Sequence, residues 1–147
     1  MSMELQIQQD IKAAMLAKEK TRLESLRAIK AAILLAKTAD GSESIADEAV
    51  VKIIQKLVKQ RKETAEIYKQ QNREELAAQE LAEAAAMEVY LPKQLSEAEL
   101  EEELKKMIAQ VGATGPQDMG KVMGTATKAL AGKADGRAIS ALVKKLL

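Results

Sequence analysis

Residues that favour helices dominate this chain, and the patterns that mark strands are missing from it. Ala, Leu, Lys, Glu and Gln are the most frequent residue types, and all five have high helix propensity. No stretch alternates apolar and polar residues with the period of two that a half-buried strand requires. No Asn-Gly or Asp-Gly turn joins two β-branched runs. The sequence therefore predicts an all-α, multihelical fold.

Capping and stop signals divide the chain into seven predicted helices. Thr21 with Glu24, and Ser96 with Glu99, have the form of a capping box, which starts a helix. Pro92 ends a helix, because the residue before proline avoids the helical conformation. The predicted helices cover residues 4–18, 21–38, 45–70, 73–90, 97–111, 118–131 and 136–146.

A change of charge after Pro92 predicts two domains. Residues 1–94 contain fifteen basic and fifteen acidic side chains. Residues 95–116 contain five Glu and two Lys, for a net charge of −3. Residues 117–147 contain five Lys, one Arg and two Asp, for a net charge of +4. We therefore predict an N-terminal four-helix domain at 1–94 and a small three-helix tail domain at 95–147.

The composition excludes several kinds of active site. Cysteine and histidine are both absent, so the chain offers no disulfide, thiolate nucleophile, imidazole base or zinc site. Glutamates share helix faces, as Glu97 and Glu101 do, but a di-iron bundle would require Glu-x-x-His. No serine lies in a Gly-x-Ser-x-Gly or Ser-x-x-Lys motif. We therefore assign no catalytic residue, cofactor or metal ligand, and we expect no intrinsic enzymatic activity.

The sequence also bears on location. Residues 1–9 include Glu4 and no apolar stretch, unlike a secretory signal peptide. The longest uncharged apolar run, residues 31–36, is too short to cross a bilayer. We therefore expect a cytoplasmic protein without a membrane partner.

The strongest local pattern lies near the C-terminus, at residues 118–124 and 132–137. Gly120 and Gly124 are four residues apart, and we interpret them as a site of tight packing against another backbone. We predict that five basic residues of the last two predicted helices and of the turn between them form one positive face; they are Lys121, Lys128, Lys133, Arg137 and Lys144. The local net charge of +4 favours an RNA-binding role for these residues, and a solvated basic surface explains them equally well.

These residues carry a resemblance to a known family. Residues 118–124 (Asp-Met-Gly-Lys-Val-Met-Gly), 132–136 (Gly-Lys-Ala-Asp-Gly) and 143–144 (Val-Lys) are similar to the tail signature of the GatB/YqeY family. Further segments that resemble its small YqeY members are 26–33, 59–63, 73–76 and 90–96. The resemblance therefore covers nearly the whole chain.

The resemblance implies tRNA binding more directly than catalysis. The larger relative is the B subunit of the tRNA-dependent amidotransferase, which amidates Glu-tRNA(Gln) or Asp-tRNA(Asn) with glutamine as the nitrogen donor. Its catalytic steps occur outside the tail, whereas the tail and its helical neighbour contact the tRNA body. The family label, a carbon–nitrogen ligase with glutamine as amido-N-donor, is therefore not supported by the residues of this chain. The resemblance implies tRNA as a partner, together with an amidotransferase or synthetase subunit.

An alternative from a different class remains open. The chain could be a protein-interaction module that docks on an enzyme subunit without RNA contact. Docking would use a small-residue surface, either at Gly120 and Gly124 or at residues 84–86. The two alternatives predict different responses to salt, because phosphate contacts release counterions and apolar docking does not.

Overall fold

The computed structural model describes all of residues 1–147 and contains helices but no strand. The seven α-helices are α1 (Met3–Ala17), α2 (Lys20–Asp40), α3 (Asp47–Gln70), α4 (Glu74–Glu88), α5 (Glu97–Val111), α6 (Met119–Ala129) and α7 (Gly136–Leu146). A single 3-10 turn, Pro116–Asp118, precedes α6. The predicted all-α, multihelical fold is confirmed, and each predicted helix end lies within two residues of the observed one.

The helices group into two compact units. The N-terminal unit, Met1–Leu91, contains α1 to α4, and the C-terminal unit, Pro92–Leu147, contains α5 to α7. That each unit folds as an independent domain stays a prediction.

The N-terminal unit has an aliphatic core. In α2, Leu26, Ile29 and Ile33 recur every three or four residues, so their side chains point to one side of the helix and are buried. α4 packs along α3 and against α2, and α1 packs on α2 and α3. The buried residues of this core are Ile7, Ala14, Leu26, Ile29, Ile33, Val50, Ile54, Val58, Ala84 and Met87.

Polar contacts between helices supplement this core. The Tyr90 hydroxyl donates to Oδ2 of Asp10 at 2.5 Å, which links α1 to the turn after α4. Burial raises the pKa of Tyr90, and the hydrogen bond to the Asp10 carboxylate raises it further. Lys37 forms an ion pair with Glu4 at 2.5 Å and joins the two ends of the α1–α2 hairpin.

The C-terminal unit has its own aliphatic core, and its α5 begins as predicted. The Glu99 backbone N–H donates to the Ser96 hydroxyl, and the Ser96 N–H donates to the Glu99 carboxylate. These hydrogen bonds form a complete capping box and lower the pKa of Glu99. Gly112 ends α5 with φ +69°, a left-handed conformation that favours glycine. The buried residues of this core are Leu100, Leu104, Met107, Val122, Ala126, Leu130, Ile139, Leu142 and Val143.

The capping box predicted at Thr21 and Glu24 is wrong. α2 begins at Lys20, its N-cap is Glu19, and Thr21 lies inside the first helical turn. The reason is the tight connection from α1, in which Lys18 adopts a left-handed conformation and lets the next helix begin immediately. The Thr21 carbonyl oxygen accepts a hydrogen bond from the Ser25 hydroxyl, and no side chain caps α2.

Candidate nucleic-acid interface

One basic stripe lies on α6. Val122 and Ala126 are fully buried and fix which side of the helix faces the core. Lys121, Gly124 and Lys128 follow one another at spacings of three and four residues, so they lie along the opposite side. All three residues are exposed to solvent. The helix therefore presents a glycine between two cations.

A second basic stripe, with the same arrangement, lies on α7. Asp135 occupies the N-cap position, and Ile139 and Val143 face the core. Arg137, Ala141 and Lys144 are exposed, at spacings of four and three residues. Their side of the helix lies away from the core. Each of the two helices thus carries a cation, a small residue and a second cation along its solvent-facing side.

The turn between these helices is fixed by residues that precede α5. The Gln94 side-chain amide donates to the Gly132 carbonyl oxygen at 2.5 Å, and the Leu95 backbone N–H donates to the Lys133 carbonyl oxygen at 3.0 Å. Gly132 has φ +77°, so the turn requires a left-handed residue at this point. The Lys133 side chain is exposed. These contacts therefore hold the backbone that carries Lys133 in place.

The five predicted RNA-binding side chains form no ion pair with a carboxylate within 4.0 Å. These side chains are Lys121, Lys128, Lys133, Arg137 and Lys144. The lysines of α5 differ, because Lys105 pairs with Glu101 and Lys106 pairs with Glu103 along the same helix. The acidic helix thus compensates its own cations and leaves those of α6 and α7 without a counterion.

The structure brings the predicted residues together in pairs. Lys121 and Lys128 share a side of α6, and Arg137 and Lys144 share a side of α7. Lys133 lies in the turn that joins the two helices. That all five form a single positive surface stays a prediction.

Tight packing of the two α6 glycines against another backbone of this chain is not found. Gly120 and Gly124 are both exposed, and a Cβ atom built on either would meet no atom within 4 Å. Neither glycine is therefore required by the packing of the chain against itself. Their effect is to leave the helix backbone uncovered beside Lys121 and Lys128.

Two contributors to this region were missed by sequence reasoning. Gln94 shapes the α6–α7 turn from a position 38 residues earlier in the chain, and no local pattern signals so distant a contact. Lys145 is exposed beside Lys144 in the last turn of α7. The adjacent lysines are visible in the sequence, but helical spacing places only Lys144 in line with Arg137.

The chain shows no arrangement suited to binding a metal ion through acidic side chains. No three Asp or Glu residues are grouped closely enough to do so. No helix is long and apolar enough to cross a membrane.

The features that distinguish α6, α7 and the turn between them are their unpaired cations and the uncovered backbone of α6.

Comparison with known proteins identifies relatives of the chain. The family model described as Yqey-like protein matches residues 4–147. A protein of Meyerozyma guilliermondii named "Altered inheritance of mitochondria protein 41, mitochondrial" is 36% identical over 122 residues, which are 80% of this chain and 63% of that protein. A protein of the same name from Pyrenophora tritici-repentis is 30% identical over 146 residues, which are 96% of this chain and 78% of that protein.

These relatives correct the expected location. Both are named as mitochondrial proteins, which contradicts the expectation of a cytoplasmic protein. That expectation was drawn from the first residues and from the short apolar run, and neither feature identifies a compartment.

The family assignment rests on the match over nearly the whole chain. It includes the tail segment that carries the five cations and both α6 glycines. The sequence resemblance is confirmed by this match, and the chain belongs to the YqeY-like family.

Proposed function

We propose that the C-terminal unit binds tRNA through the outer sides of α6 and α7. The contacts are made by Lys121 and Lys128 on α6, by Arg137 and Lys144 on α7, and by Lys133 in the turn between them. The two named relatives carry no mention of RNA in their names. The proposal rests on the chemistry of these side chains and on the resemblance of the tail to the amidotransferase B subunit.

The observation that carries the proposal is the pair of stripes in which a small residue separates two unpaired cations. Gly124 lies between Lys121 and Lys128, and Ala141 lies between Arg137 and Lys144. A glycine in a helix interior costs about 0.5 to 1 kcal/mol relative to alanine. Gly124 makes no packing contact that requires its small size. An uncovered backbone between two cations gives a sugar–phosphate chain room to lie against the helix.

The side chains suit a folded RNA better than a single strand. Structured RNA is held mainly through phosphates and 2′-hydroxyl groups, which Lys and Arg can contact without base stacking. Single-strand binding relies on aromatic side chains, and the C-terminal unit contains none. Its ligand under this proposal is therefore the duplex-like body of a tRNA.

A triple variant tests the proposal. We expect Lys121→Ala/Lys128→Ala/Arg137→Ala to keep its helical circular dichroism, because all three side chains are exposed. Its affinity for bulk tRNA should fall. The slope of log affinity against log salt concentration should fall by about two to three, since each phosphate contact contributes about 0.7 to 0.9.

The matched control removes three exposed lysines from α3, by Lys52→Ala/Lys56→Ala/Lys69→Ala. It changes the net charge of the protein equally, so it separates a local contact from a general charge effect. We expect its affinity and salt slope to stay close to those of the unmodified protein. Equal losses in both variants, or none in the first, would contradict the proposal.

The uncovered glycines also support a second candidate, docking of a helix from an enzyme subunit. Gly120 and Gly124 lie four residues apart on an exposed helix, an arrangement that permits close helix approach. The other surface considered for docking, residues 84–86, is less suitable because Ala84 belongs to the core of the N-terminal unit. The test is binding of an amidotransferase or synthetase subunit. Loss of this binding in Gly124→Leu, together with unchanged binding in the triple variant, would favour this candidate.

A further inference from the structure

Exposed apolar side chains are concentrated on the α1–α2 hairpin of the N-terminal unit. Leu16 is 77% exposed and Leu34 is 60% exposed. The other exposed large apolar side chains of these two helices are Leu5, Met15 and Leu35. Exposed apolar side chains in such a group indicate an interaction surface more often than single ones do.

The same hairpin carries cations that no carboxylate compensates. Its ion pairs join Lys37 to Glu4, and Arg22 to Asp10 and Glu19. The remaining cations of the two helices and their connection form no ion pair; they are Lys12, Lys18, Lys20, Arg27 and Lys30. The carboxylates that remain unpaired are Glu24 and Asp40. The hairpin therefore combines apolar groups with an excess of positive charge.

Each of the two helices exposes both kinds of side chain. Lys12 and Leu16 are four residues apart on the exposed side of α1. On α2, Arg27, Lys30 and Leu34 follow at spacings of three and four residues and are exposed. We call these five residues the hairpin face.

The two helices meet along a shallow groove of about 220 Å³. Ile7 and Gln8 of α1, and Ile33 of α2, line it together with two members of the hairpin face, Lys30 and Leu34. Gln8 is exposed and lies one turn before Lys12, so at this groove the exposed side of α1 adjoins Lys30 and Leu34 of α2.

We propose that the hairpin face binds the surface of an anionic lipid bilayer. Protruding leucines gain free energy when they enter the boundary between headgroups and acyl chains, and nearby cations are attracted to anionic headgroups. The expected absence of a membrane partner rested on the lack of a segment that could span a bilayer. Attachment to the surface requires no such segment.

A lipid surface matches this face better than RNA or another protein. RNA phosphates would satisfy Lys12, Arg27 and Lys30 and would leave Leu16 and Leu34 in water. A protein partner would need a cavity matched to each leucine, whereas a fluid bilayer accepts leucines at any spacing. The leucines here lie next to cations instead of being gathered in one pocket, so apolar insertion and attraction to anionic headgroups can both contribute to binding.

Vesicle flotation with the full chain tests this proposal. The probes are vesicles of phosphatidylcholine alone and vesicles of phosphatidylcholine mixed with phosphatidylglycerol, both at low ionic strength. We expect the protein to float with the phosphatidylglycerol vesicles and to stay with the soluble fraction otherwise. Absence of flotation with the anionic vesicles would overturn the proposal.

Two variants distinguish the roles of charge and apolar insertion. Lys12→Gln/Arg27→Gln/Lys30→Gln should lower the partition coefficient by at least about tenfold, since each cation near an anionic surface adds to binding. Leu16→Ser/Leu34→Ser should also lower it by about tenfold or more, because serine gains nothing from the acyl boundary. Their matched controls are Lys52→Gln/Lys56→Gln/Lys69→Gln and Ile67→Ser/Val89→Ser, which alter exposed positions elsewhere in the N-terminal unit.

The controls should float like the unmodified protein, as should the Lys121→Ala/Lys128→Ala/Arg137→Ala variant. Equal loss in the controls would overturn the proposal, because binding would then follow net charge or general hydrophobicity. If the leucine variant floated normally while the charge variant lost tRNA affinity, the hairpin face would be an RNA contact and the lipid proposal would be wrong. Failure here leaves the proposed tRNA site of the C-terminal unit unaffected.

Discussion

The N-terminal and C-terminal units use their charged residues differently. In the N-terminal unit, ion pairs connect separate helices, as between Lys37 and Glu4, or between Lys62 and Glu88 at 2.6 Å. In the C-terminal unit, the ion pairs of α5 join residues close in sequence, three to six positions apart, and α6 and α7 form none. Charge thus supports tertiary structure in the first unit, whereas in the second it remains available to a ligand.

Apolar exposure shows the opposite contrast. All the exposed large apolar side chains belong to the N-terminal unit, and the C-terminal unit has none. The smaller unit therefore leaves no large apolar side chain exposed and keeps a basic exterior on α6 and α7. The difference fits the two proposals, in which α6 and α7 bind a polyanion and the α1–α2 hairpin binds a partly apolar surface.

Loss of a core leucine should destabilise the C-terminal unit strongly and leave the N-terminal unit folded. Leu104 is fully buried in the C-terminal core, so Leu104→Ala should cost about 2 to 5 kcal/mol. A unit of this size has a stability of roughly 3 to 8 kcal/mol. We expect hydrogen exchange to show loss of protection in α5 to α7 while α1 to α4 keep theirs. Loss of protection across both units would show that they unfold together.

A smaller effect is expected from the hydrogen bond between Tyr90 and Asp10 in the N-terminal unit. Tyr90→Phe removes a donor to a carboxylate and should lower the free energy of unfolding by about 1 to 3 kcal/mol. Urea unfolding measures this change. A difference within experimental error would mean that this hydrogen bond does not stabilise the packing of α1.

The same contact should depend on pH. The folded state raises the pKa of Tyr90. The hydrogen bond from Tyr90 to Asp10 therefore contributes fully to the free energy of unfolding below the ordinary tyrosine pKa of about 10. This contribution is lost as the pH rises, since the unfolded chain ionises first. The stability difference between the unmodified protein and Tyr90→Phe should therefore stay constant up to about pH 9 and shrink as the pH rises past about 10. A difference that grows as the pH rises past that value would contradict the assigned cause.

The smallest expected effect is a gain in stability. Gly124→Ala places a methyl group in open solvent without requiring a positive φ, so it should raise the free energy of unfolding by about 0.5 to 1 kcal/mol. It should also weaken tRNA binding, because the methyl group covers the backbone between Lys121 and Lys128. The matched control, Gly112→Ala, should destabilise the fold because φ there is +69°. Unchanged tRNA affinity in Gly124→Ala would show that RNA does not lie against the uncovered backbone at Gly124.

Helical spacing predicted much of the fold and part of the candidate site. It identified the buried side of α6 through Val122 and Ala126, and the Ser96 capping box is as expected because it involves neighbours in sequence. Thr21 shows the limit of such signals, because the conformation of Lys18 determined where α2 starts. Gly120 and Gly124 show a second limit, since the same spacing fits a packed helix and an exposed one.

A lysine-reactivity footprint with tRNA tests whether the C-terminal unit is the part of the molecule that binds RNA. The full chain is acetylated with and without bulk tRNA, and mass spectrometry reports the modification of each lysine. We predict that tRNA protects Lys121, Lys128 and Lys144, all exposed and unpaired in the C-terminal unit. Lys52 and Lys56 of α3 should keep their reactivity. Protection of the α3 lysines without protection of those on α6 and α7 would contradict the claim that the C-terminal unit is the RNA-binding part of the molecule.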